Sequence, residues 1–567
     1  MMKQATRRPS RFRLPDRSDV ARLRRAASVT SSLFVLACAA LLSCSGAGDQ
    51  NREPAATGER ATGDWLVFAD TAEPTTLNCL RATERPARQV CSLVADTLID
   101  FDRDAKFIPR LAGSFDLSTD DTEITFHLRK GVRWHDGDAF DAQDVIYTVE
   151  QVKRLDADQE RFQALFGPLA EVTAPDSSTI RAKYSEPYAD ALNGWREAFI
   201  MPSHLPFAPA EPSPLDRSPV GTGPFRFLRW DAQDRIILEA NKDYFAGRPL
   251  LDRFVYRIVP NLDAVRAALQ VQEVDVAGLT PDWVAEHPSD DPNLPFRVEV
   301  FPAGMVEMIY WNLDEPRGLF KDPRVRRALA MLLDRQGYVQ SVHHGLYGVA
   351  TTLIDPEIWG GDPSLRPLPY DPAGAERLLD EAGIVDKDGD GIRDAKDGPM
   401  SFTLLYTSTA PYQKDVAALL ERAAAGAGVQ VRLQGLEWAA MRPRIYGHDF
   451  EAAVHRWRLD LRPDPYAFFH SSQIGAGQNL SGYRSDAFDR LAETMRRTAD
   501  PAQRTSLLAA MQKRLHEDQP ALFVSIPRSV IAINRRFRTP PLTSAGWWNW
   551  YPSVAEWWVA AGDRRYH

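Results

Sequence analysis

Five aspartates fall within twelve residues, at a spacing that suits a calcium ion. Counted from the first of them, carboxylates stand at positions 1, 3, 5, 9 and 12 and a glycine stands at position 6; the aspartates are Asp386, Asp388, Asp390, Asp394 and Asp397. Alternate residues of a tight loop point oxygen atoms inward, and calcium prefers oxygen ligands. The pattern predicts a structural calcium ion, although position 12 of an EF-hand is usually a longer glutamate. A solvated acidic turn is the alternative interpretation.

Motifs of common hydrolases and nucleotide-binding enzymes do not occur in the chain. There is no GxSxG nucleophile elbow, no HExxH zinc motif and no GxxxxGK[ST] phosphate loop. His343 and His344 are adjacent but have no third ligand at a metal-binding spacing, and His135 lies in a turn-rich GVRWHDG segment that favours a structural role. We therefore expect no enzyme and no cofactor apart from the calcium. A secreted hydrolase stays as a minor alternative, because sequence does not reveal a carboxylate pair that faces a cleft.

The N-terminal segment has the composition of an export signal. Residues 1–25 are rich in arginine, and an apolar stretch from Ala26 to Leu42 follows. That stretch is short for a membrane-spanning helix, which needs roughly 20 apolar residues. Leu41-Leu42-Ser43-Cys44 resembles a bacterial lipobox, which implies cleavage before Cys44 and attachment of lipid to its thiol. The alternative is an uncleaved N-terminal anchor, and both interpretations place the body outside the cytoplasm.

The remaining sequence has the composition of a globular protein with several domains. The chain has 567 residues, of which 44% are hydrophobic and 26% are charged, and these values exclude a disordered or polytopic membrane protein. The net charge is −9 although residues 1–43 are basic, so the body is acidic, which argues against nucleic acid as a partner. Cys79 and Cys91 form one disulfide or stay reduced and buried, and the sequence leaves both options open.

Strand and helix patterns are mixed along the body, which predicts an α/β or an α+β fold. Ile124, Phe126 and Leu128 alternate with polar residues, as is typical of a half-buried strand. Aspartate accepts the free N–H groups of a first helical turn, and proline has no N–H to leave unpaired, so Asp-Pro pairs predict helix starts. The pairs are Asp322-Pro323, Asp371-Pro372 and Asp500-Pro501, and further apolar strands are predicted at 225–230, 236–240, 254–259 and 531–533.

An ordered series of segments resembles a known family. In chain order they read FIPRLAGSF at 107–115, ITFHLRKGVRWHDGDAFDAQDV at 124–145, VGTGPFRFLRW at 220–230, KDPRVRRALAMLLDR at 321–335, WRLDLRPDPYAFF at 457–469 and NLSGY at 479–483. They are similar to the extracytoplasmic solute-binding proteins of peptide-type ABC importers, the oligopeptide- and dipeptide-binding group of family 5. The resemblance implies an α/β fold of two lobes that close by a hinge around a cleft, with an extra inserted domain.

The resemblance also implies how the chain is divided. One lobe is expected to be discontinuous, with the inserted domain after its first part and the second lobe before its last part. The expected order is signal peptide 1–43, tether 44–63, lobe I 64–104, inserted domain 105–217, lobe I 218–305, lobe II 306–535 and lobe I 536–567.

The family likeness indicates residues that contact the ligand. A buried peptide amine needs an anionic partner, because an unpaired ammonium is costly. Asp460 stands three residues after Trp457, as the amine-binding aspartate does in peptide-binding members, and is the expected partner. This segment departs from the family pattern just afterwards, so Asp464 is a competitor, and either aspartate alternatively forms a turn. The other expected ligand-binding residues are Trp457, Arg458, Tyr412 and Trp311.

Together these features predict a lipid-anchored receptor on the periplasmic or cell-surface side of a membrane. It is expected to act as a monomer, to capture peptides in the cleft between the lobes and to deliver them to an ABC permease. A binding protein for a non-peptide solute, such as a metal complex or a sugar, is the main alternative. A lipoprotein that senses peptides without transport is a third interpretation.

Overall fold

The structure is a computed structural model that describes residues 60–102, 105–154, 166, 168–188, 191–206, 213–287, 291–459, 462–475, 477–498, 500–542 and 554–566. Cys44, the proposed signal peptide and Asp460 lie outside the described residues. All described residues belong to one compact unit, Gly58–His567.

The largest sheet takes strands from both ends of the described chain. Its strands in spatial order are β13 (Phe296–Pro302), β22 (Arg528–Asn534), β12 (Val276–Gly278), β2 (Trp65–Asp70), β11 (Arg253–Ile258), β10 (Arg235–Ala240) and β9 (Phe225–Asp231). β2 runs parallel to β11 and β12. Successive residues of β2 point to opposite faces, and both faces are buried, which explains its nearly continuous apolar sequence.

A second sheet lies entirely between Met305 and Ile526. Its strands in spatial order are β15 (Gly348–Val349), β21 (Ala521–Ile526), β14 (Met305–Trp311), β20 (Ala452–Arg458), β18 (Ser401–Thr407) and β19 (Gln430–Leu436). β18 runs parallel to both β19 and β20. Separate apolar cores cover its two faces. We call this sheet and its helices the six-stranded part.

Smaller sheets complete the strands that the structure describes. An antiparallel sheet contains β5 (Ala112–Leu117), β6 (Glu123–Leu128), β8 (Thr179–Tyr184) and β7 (Leu169–Asp176). The others are β1 (Arg60–Ala61) with β24 (Trp558–Ala560) and β23 (Phe537–Arg538), β3 (Ile99–Phe101) with β4 (Phe107–Pro109), and β16 (Asp394–Ala395) with β17 (Gly398–Pro399). The predicted alternating strand is confirmed as β6, whose Ile124 and Phe126 are buried.

The α-helices are α1 (Arg85–Val94), α2 (Ala142–Arg154), α3 (Ala191–Glu197), α4 (Leu262–Gln270), α5 (Pro281–Glu286), α6 (Pro323–Leu332), α7 (Arg335–Val342), α8 (Pro372–Glu381), α9 (Pro411–Gly426), α10 (Trp438–Tyr446), α11 (Tyr466–Phe469), α12 (Asp486–Arg496) and α13 (Pro501–Asp518). The predicted Asp-Pro starts are confirmed for α6, α8 and α13. In each, the aspartate side chain accepts a hydrogen bond from a backbone N–H of the first turn.

Two very short connections join the large sheet to the six-stranded part. β13 leads to β14 through Ala303 and Gly304, and β21 leads to β22 through Pro527. Gly304 has a φ of +62°, which favours glycine. The expected return to the first lobe at residue 536 is wrong, because β22 already pairs with β12 and β13 from residue 528. An apolar run such as 531–533 does not reveal which sheet supplies its partners.

Cys79 and Cys91 form a disulfide, with their Cα atoms 5.4 Å apart. This decides between the two options that the sequence left open. Both residues are buried, and Cys91 lies on α1. Closing a loop of this length restricts the unfolded chain and contributes about 3 kcal/mol in the chain-entropy account.

His135 fastens the turn after β6 to the start of the β9 segment. Its backbone N–H donates to the Gly221 oxygen, its Nε2 bonds to the Gly223 oxygen at 3.0 Å, and Nδ1 accepts from the Gly221 N–H at 3.3 Å. The glycines are required here, because a Cβ atom on either would overlap the backbone of Val94. One ring nitrogen donates and the other accepts, so the contacts fit the neutral imidazole.

We expect this contact to make stability depend on pH. Burial lowers the pKa of His135 to about 4, whereas an unfolded histidine titrates near 6.5. The unfolded chain therefore binds the proton first, and the stabilisation is complete above about pH 6.5 and is lost as the pH falls toward 4. Urea unfolding at pH 7 and pH 5 should show a loss of about 1–2 kcal/mol that is smaller in His135→Asn. Equal losses in both proteins would contradict this prediction.

Candidate functional site

Three parallel strands of the six-stranded part end at one edge of their sheet. β18 ends at Thr407, β19 at Leu436 and β20 at Arg458. The connection through Gly304 reaches the same edge, since Met305 pairs with Arg458. In open α/β sheets, ligands bind outside the carboxyl ends of the strands. We call this edge, which adjoins a crossing to the large sheet, the carboxyl edge.

A buried ion pair lies directly behind the carboxyl edge. Glu307 of β14 has no exposed surface, and its carboxylate accepts hydrogen bonds from Arg456 of β20 and from the hydroxyl of Ser525 on β21. Burial alone would lower the pKa of Arg456, but Glu307 together with Tyr412 and Tyr347 outweighs that effect and raises it. Hydrogen bonds to the Glu307 carboxylate therefore hold three strands together at the edge.

Tyr412, an expected ligand-binding residue, lies against this ion pair. It is the second residue of α9, just beyond the end of β18, and its ring lies 3.5 Å from the guanidinium carbon of Arg456. Its hydroxyl accepts from Gln413 Nε2 at 3.1 Å. The Tyr412 ring is half-buried. Arg456 covers one face of the ring, and the rest of the ring borders the carboxyl edge.

Aromatic rings follow one another on the opposite face of the sheet. Trp438 opens α10 with 38% of its surface exposed, and its ring stacks on His455 at 5.3 Å. His455 meets Trp457 edge-on at 4.7 Å, and Trp457 packs against Phe468 at 5.0 Å. Burial lowers the pKa of His455 to about 4, so the imidazole is neutral near pH 7. The rings form a continuous stack from the exposed edge to the core.

Trp457 and Arg458, both expected at the site, end β20. The Trp457 indole N–H donates to the Tyr310 hydroxyl at 2.6 Å, which fixes a half-buried ring, and Arg458 is exposed. Asp464 accepts from the Tyr466 N–H and pairs with Arg496 at 3.0 Å, in keeping with a turn-forming role. Asp460, the expected amine partner, falls between Arg458 and Asp464 in sequence but is not among the residues that the structure describes.

The expectation that Trp311 contacts a ligand is wrong. Its side chain has no exposed surface and packs against Phe320 and Phe402 in the core beneath the sheet. Trp311 ends β14, so it lies at the opposite end of that strand from the carboxyl edge. Sequence shows that a tryptophan ends a strand but does not show which end of the sheet that is.

Three further residues at the edge are not predicted as site residues by the sequence. They are Glu307, Arg456 and Trp438. A signal existed for Glu307, because a glutamate inside the apolar strand MVEMIYW needs a buried cation or hydrogen-bond donor. The partner, Arg456, is 149 positions away, and nothing in its local sequence indicates the pairing.

The acidic loop lies between α8 and β18, apart from the carboxyl edge in sequence. Asp386, Asp388 and Asp394 bring one carboxylate oxygen each within 4.8 Å of the others. Among the described residues, Asp390 and Asp397 do not belong to this group. Backbone N–H groups of Gly389 and Gly391 donate to Asp386. The loop therefore gathers three of the five predicted ligands.

Comparison with known proteins agrees with this architecture. The chain is 29% identical over 557 residues to the oligopeptide-binding protein AppA of Bacillus subtilis strain 168, which covers 95% of this chain and 99% of that protein. The structure of AppA in complex with a nonapeptide matches with a TM-score of 0.73 at 27% identity, covering 88% of this chain and 100% of that one. The expected two-lobed α/β fold is thereby confirmed.

Other relatives have different ligands in their names. The dipeptide-binding protein of Escherichia coli K12 is 26% identical over 444 residues, with 74% of this chain and 80% of that protein covered. Heme-binding protein A of Haemophilus influenzae is 28% identical over 457 residues, with 75% of this chain and 80% of that protein covered.

Among the described residues, each helix is too short or too polar to cross a membrane.

A family model defines the relationship that these proteins share. The model for bacterial extracellular solute-binding proteins, family 5, middle region, matches residues 106–479. The match includes β5 to β20 and therefore the ends of the three parallel strands at the carboxyl edge. The chain belongs to family 5 of the bacterial extracellular solute-binding proteins.

Proposed function

We propose that this protein captures peptides at the carboxyl edge, between the lobes, and delivers them to the permease of an ABC importer. The likeness to an oligopeptide-binding protein along 95% of the chain carries the proposal. The protein performs no covalent chemistry; it binds, closes and releases. It acts as a monomer outside the cytoplasm, and lipid on Cys44 anchors it to a membrane.

The chemistry of the edge supports a peptide ligand. An extended peptide needs hydrogen-bonding partners for its backbone and an anion for its amine. Asp460, two residues beyond the end of β20 in sequence, is the residue we propose as that anion. Trp438, Trp457 and Tyr412 offer flat surfaces that contact side chains of many shapes. Arg458 offers a cation to a ligand carboxylate.

The ligand itself is the first thing to identify. Native mass spectrometry of the gently purified full-length protein, followed by sequencing of what denaturation releases, should give a ladder of short peptides. A single non-peptide mass, such as a heme or a metal complex, would contradict the peptide proposal and favour the alternative. A released compound that is chemically altered by the protein would contradict the non-enzymatic mechanism.

We expect Asp460→Ala to weaken binding of a peptide with a free amine by about 30-fold or more, because the buried ammonium loses its counter-charge. Isothermal titration calorimetry measures the effect. The same peptide with an acetylated amine should bind weakly to both proteins and to a similar extent. Asp464→Ala tests the competing aspartate: a larger loss that is confined to the peptide with the free amine would transfer the role to Asp464, whereas an equal loss for both peptides would reflect its contact with Arg496.

We also propose that the acidic loop binds a structural calcium ion. The DxDxDGxxDxxD spacing and the three gathered carboxylates support it. Calcium at 100 times its dissociation constant should stabilise the protein by about 2.7 kcal/mol. Thermal unfolding with calcium or with a chelator measures this. Asp386→Asn should abolish the response, and Asp397→Asn, outside the gathered group, should reduce it less; no response in the unaltered protein would refute the site.

A further inference from the structure

Two arginines of the six-stranded part are each enclosed by aromatic rings. Arg462 follows β20, and its guanidinium carbon lies 4.7 Å from the ring centre of Trp359. The same carbon lies 4.9 Å from Phe107 and 5.8 Å from Phe101. Trp359 packs against the core of the six-stranded part, whereas Phe101 and Phe107 form the β3–β4 pair. Arg462 therefore joins rings from two separate parts of the fold.

Arg496 repeats the arrangement at a second place. It ends α12, and its guanidinium carbon lies 4.0 Å from the ring centre of Tyr466, in the six-stranded part. On the other side it lies 5.8 Å from Tyr188, which follows β8 of the four-stranded sheet. Asp464 pairs with Arg496 at 3.0 Å and keeps the guanidinium in place. Tyr188 is buried, with 7% of its surface exposed.

The second of these junctions is loosely packed. A cavity of about 350 Å³ lies between the two parts and is lined by Glu186 and Tyr188 on one side and by Tyr466, Gln473 and Arg496 on the other. A polar, incompletely filled junction separates at lower cost than an apolar core, because its charged groups are readily hydrated on opening.

We propose that Arg462 and Arg496 are two clasps that hold the closed form together and thereby set how long a ligand stays bound. A guanidinium stacked on a ring retains its in-plane hydrogen-bonding capacity, so it can leave the ring for water without an unpaired buried charge. Each arginine stays with its own-side ring, Trp359 or Tyr466, when the parts separate. The clasps act on closure and touch no ligand side chain, so they stabilise every bound peptide equally.

Closure can be tested without any ligand. Small-angle X-ray scattering of the full-length protein compares the unaltered chain with the double variant Arg462→Gln/Arg496→Gln. We expect a larger radius of gyration for the double variant, because the closed form loses population. Arg490→Gln removes the same charge from an exposed position on the same helix, α12, and should leave the scattering unchanged. Scattering that is identical in the unaltered protein and the double variant would overturn the proposal.

Ligand kinetics give a second readout, which rests on the proposed function. Each cation–π contact shifts an equilibrium by roughly twofold to thirtyfold, so the double variant should raise the dissociation rate by about tenfold or more. The factor should be the same for peptides of different sequence. A factor that depends on the peptide would overturn the proposal, since it would mean direct contact with the ligand. If no peptide binds the unaltered protein, the proposed function fails while the scattering still decides the clasps.

Two further single substitutions test the contacts separately, one of a ring that faces an arginine and one of an arginine itself. Tyr188→Leu keeps an apolar side chain but removes the ring that faces Arg496, and Arg462→Lys keeps the charge but removes the flat guanidinium. Both variants should open the protein, and the melting temperature should stay close to that of the unaltered chain in Arg462→Lys, whereas Tyr188→Leu also loses some core packing. Variants that melt normally and remain closed would refute the role of these contacts.

Discussion

Glu307→Leu is expected to lower the free energy of unfolding by about 3–5 kcal/mol, because Arg456 then keeps a buried charge without its partner. Glu307 has no exposed surface, and strands β14, β20 and β21 meet around it. The guanidinium also rests on Tyr412, so the loss should disturb the carboxyl edge as well as the fold. Urea unfolding measures the stability, and calorimetry measures peptide affinity.

A double variant separates the ion pair from simple loss of packing. Glu307→Leu/Arg456→Leu removes both charges together, and replacing a buried pair by apolar residues is often nearly neutral. We expect the double variant to recover most of the stability lost in Glu307→Leu. Losses that simply add in the double variant would contradict the coupling between the two residues.

Arg536→Met is expected to cost a similar amount, about 3–5 kcal/mol, because one guanidinium serves two buried carboxylates. Arg536 bonds to Asp64, which precedes β2, and to Asp275, which precedes β12, with Nη2 to Asp275 at 2.9 Å. All three side chains are buried. The triad ties the segment after β22 to the middle of the large sheet, so the variant should lose cooperative unfolding of that sheet.

The loss of stability in Arg536→Met should depend on pH in a definite direction. Burial already raises the pKa of Asp275 in the presence of Arg536, and removal of the cation raises it further. A carboxyl whose folded pKa exceeds its unfolded value gains stability as the pH falls, so the deficit of Arg536→Met should narrow between pH 7 and pH 5. Arg535→Met is the matched control, since the Arg535 side chain is exposed and, within the described part of the chain, donates to the backbone oxygens of residues 291 and 294. A deficit that is constant with pH would contradict the role of the carboxylates.

The two ion clusters stabilise different parts of the fold. Glu307 and Arg456 fix the strands that present the carboxyl edge, whereas Arg536 fixes the sheet on the other side of the short connections. We expect the two sheets to move as two bodies, because the connections through Gly304 and through Pro527 are only a few residues long. The proposed clasps of Arg462 and Arg496 then decide how firmly the bodies stay together.

Local features of the sequence determined much of the secondary structure. The alternation in ITFHL predicts β6, and the three Asp-Pro pairs predict the starts of α6, α8 and α13, because these signals act within one turn or a few residues of strand. The ordered family segments likewise predicted the two-lobed fold, which the likeness to AppA confirms. Such short-range signals need no knowledge of distant partners.

Only the tertiary structure decided which distant residues meet. Glu307 and Arg456 are 149 positions apart, Trp311 is a core residue although its sequence suits a pocket, and β22 joins the large sheet earlier than expected. Side-chain alternation shows that a strand has two faces but not which sheet, edge or neighbour it receives. The pairing of strands across long stretches of chain settles those choices, and with them the carboxyl edge and its charges.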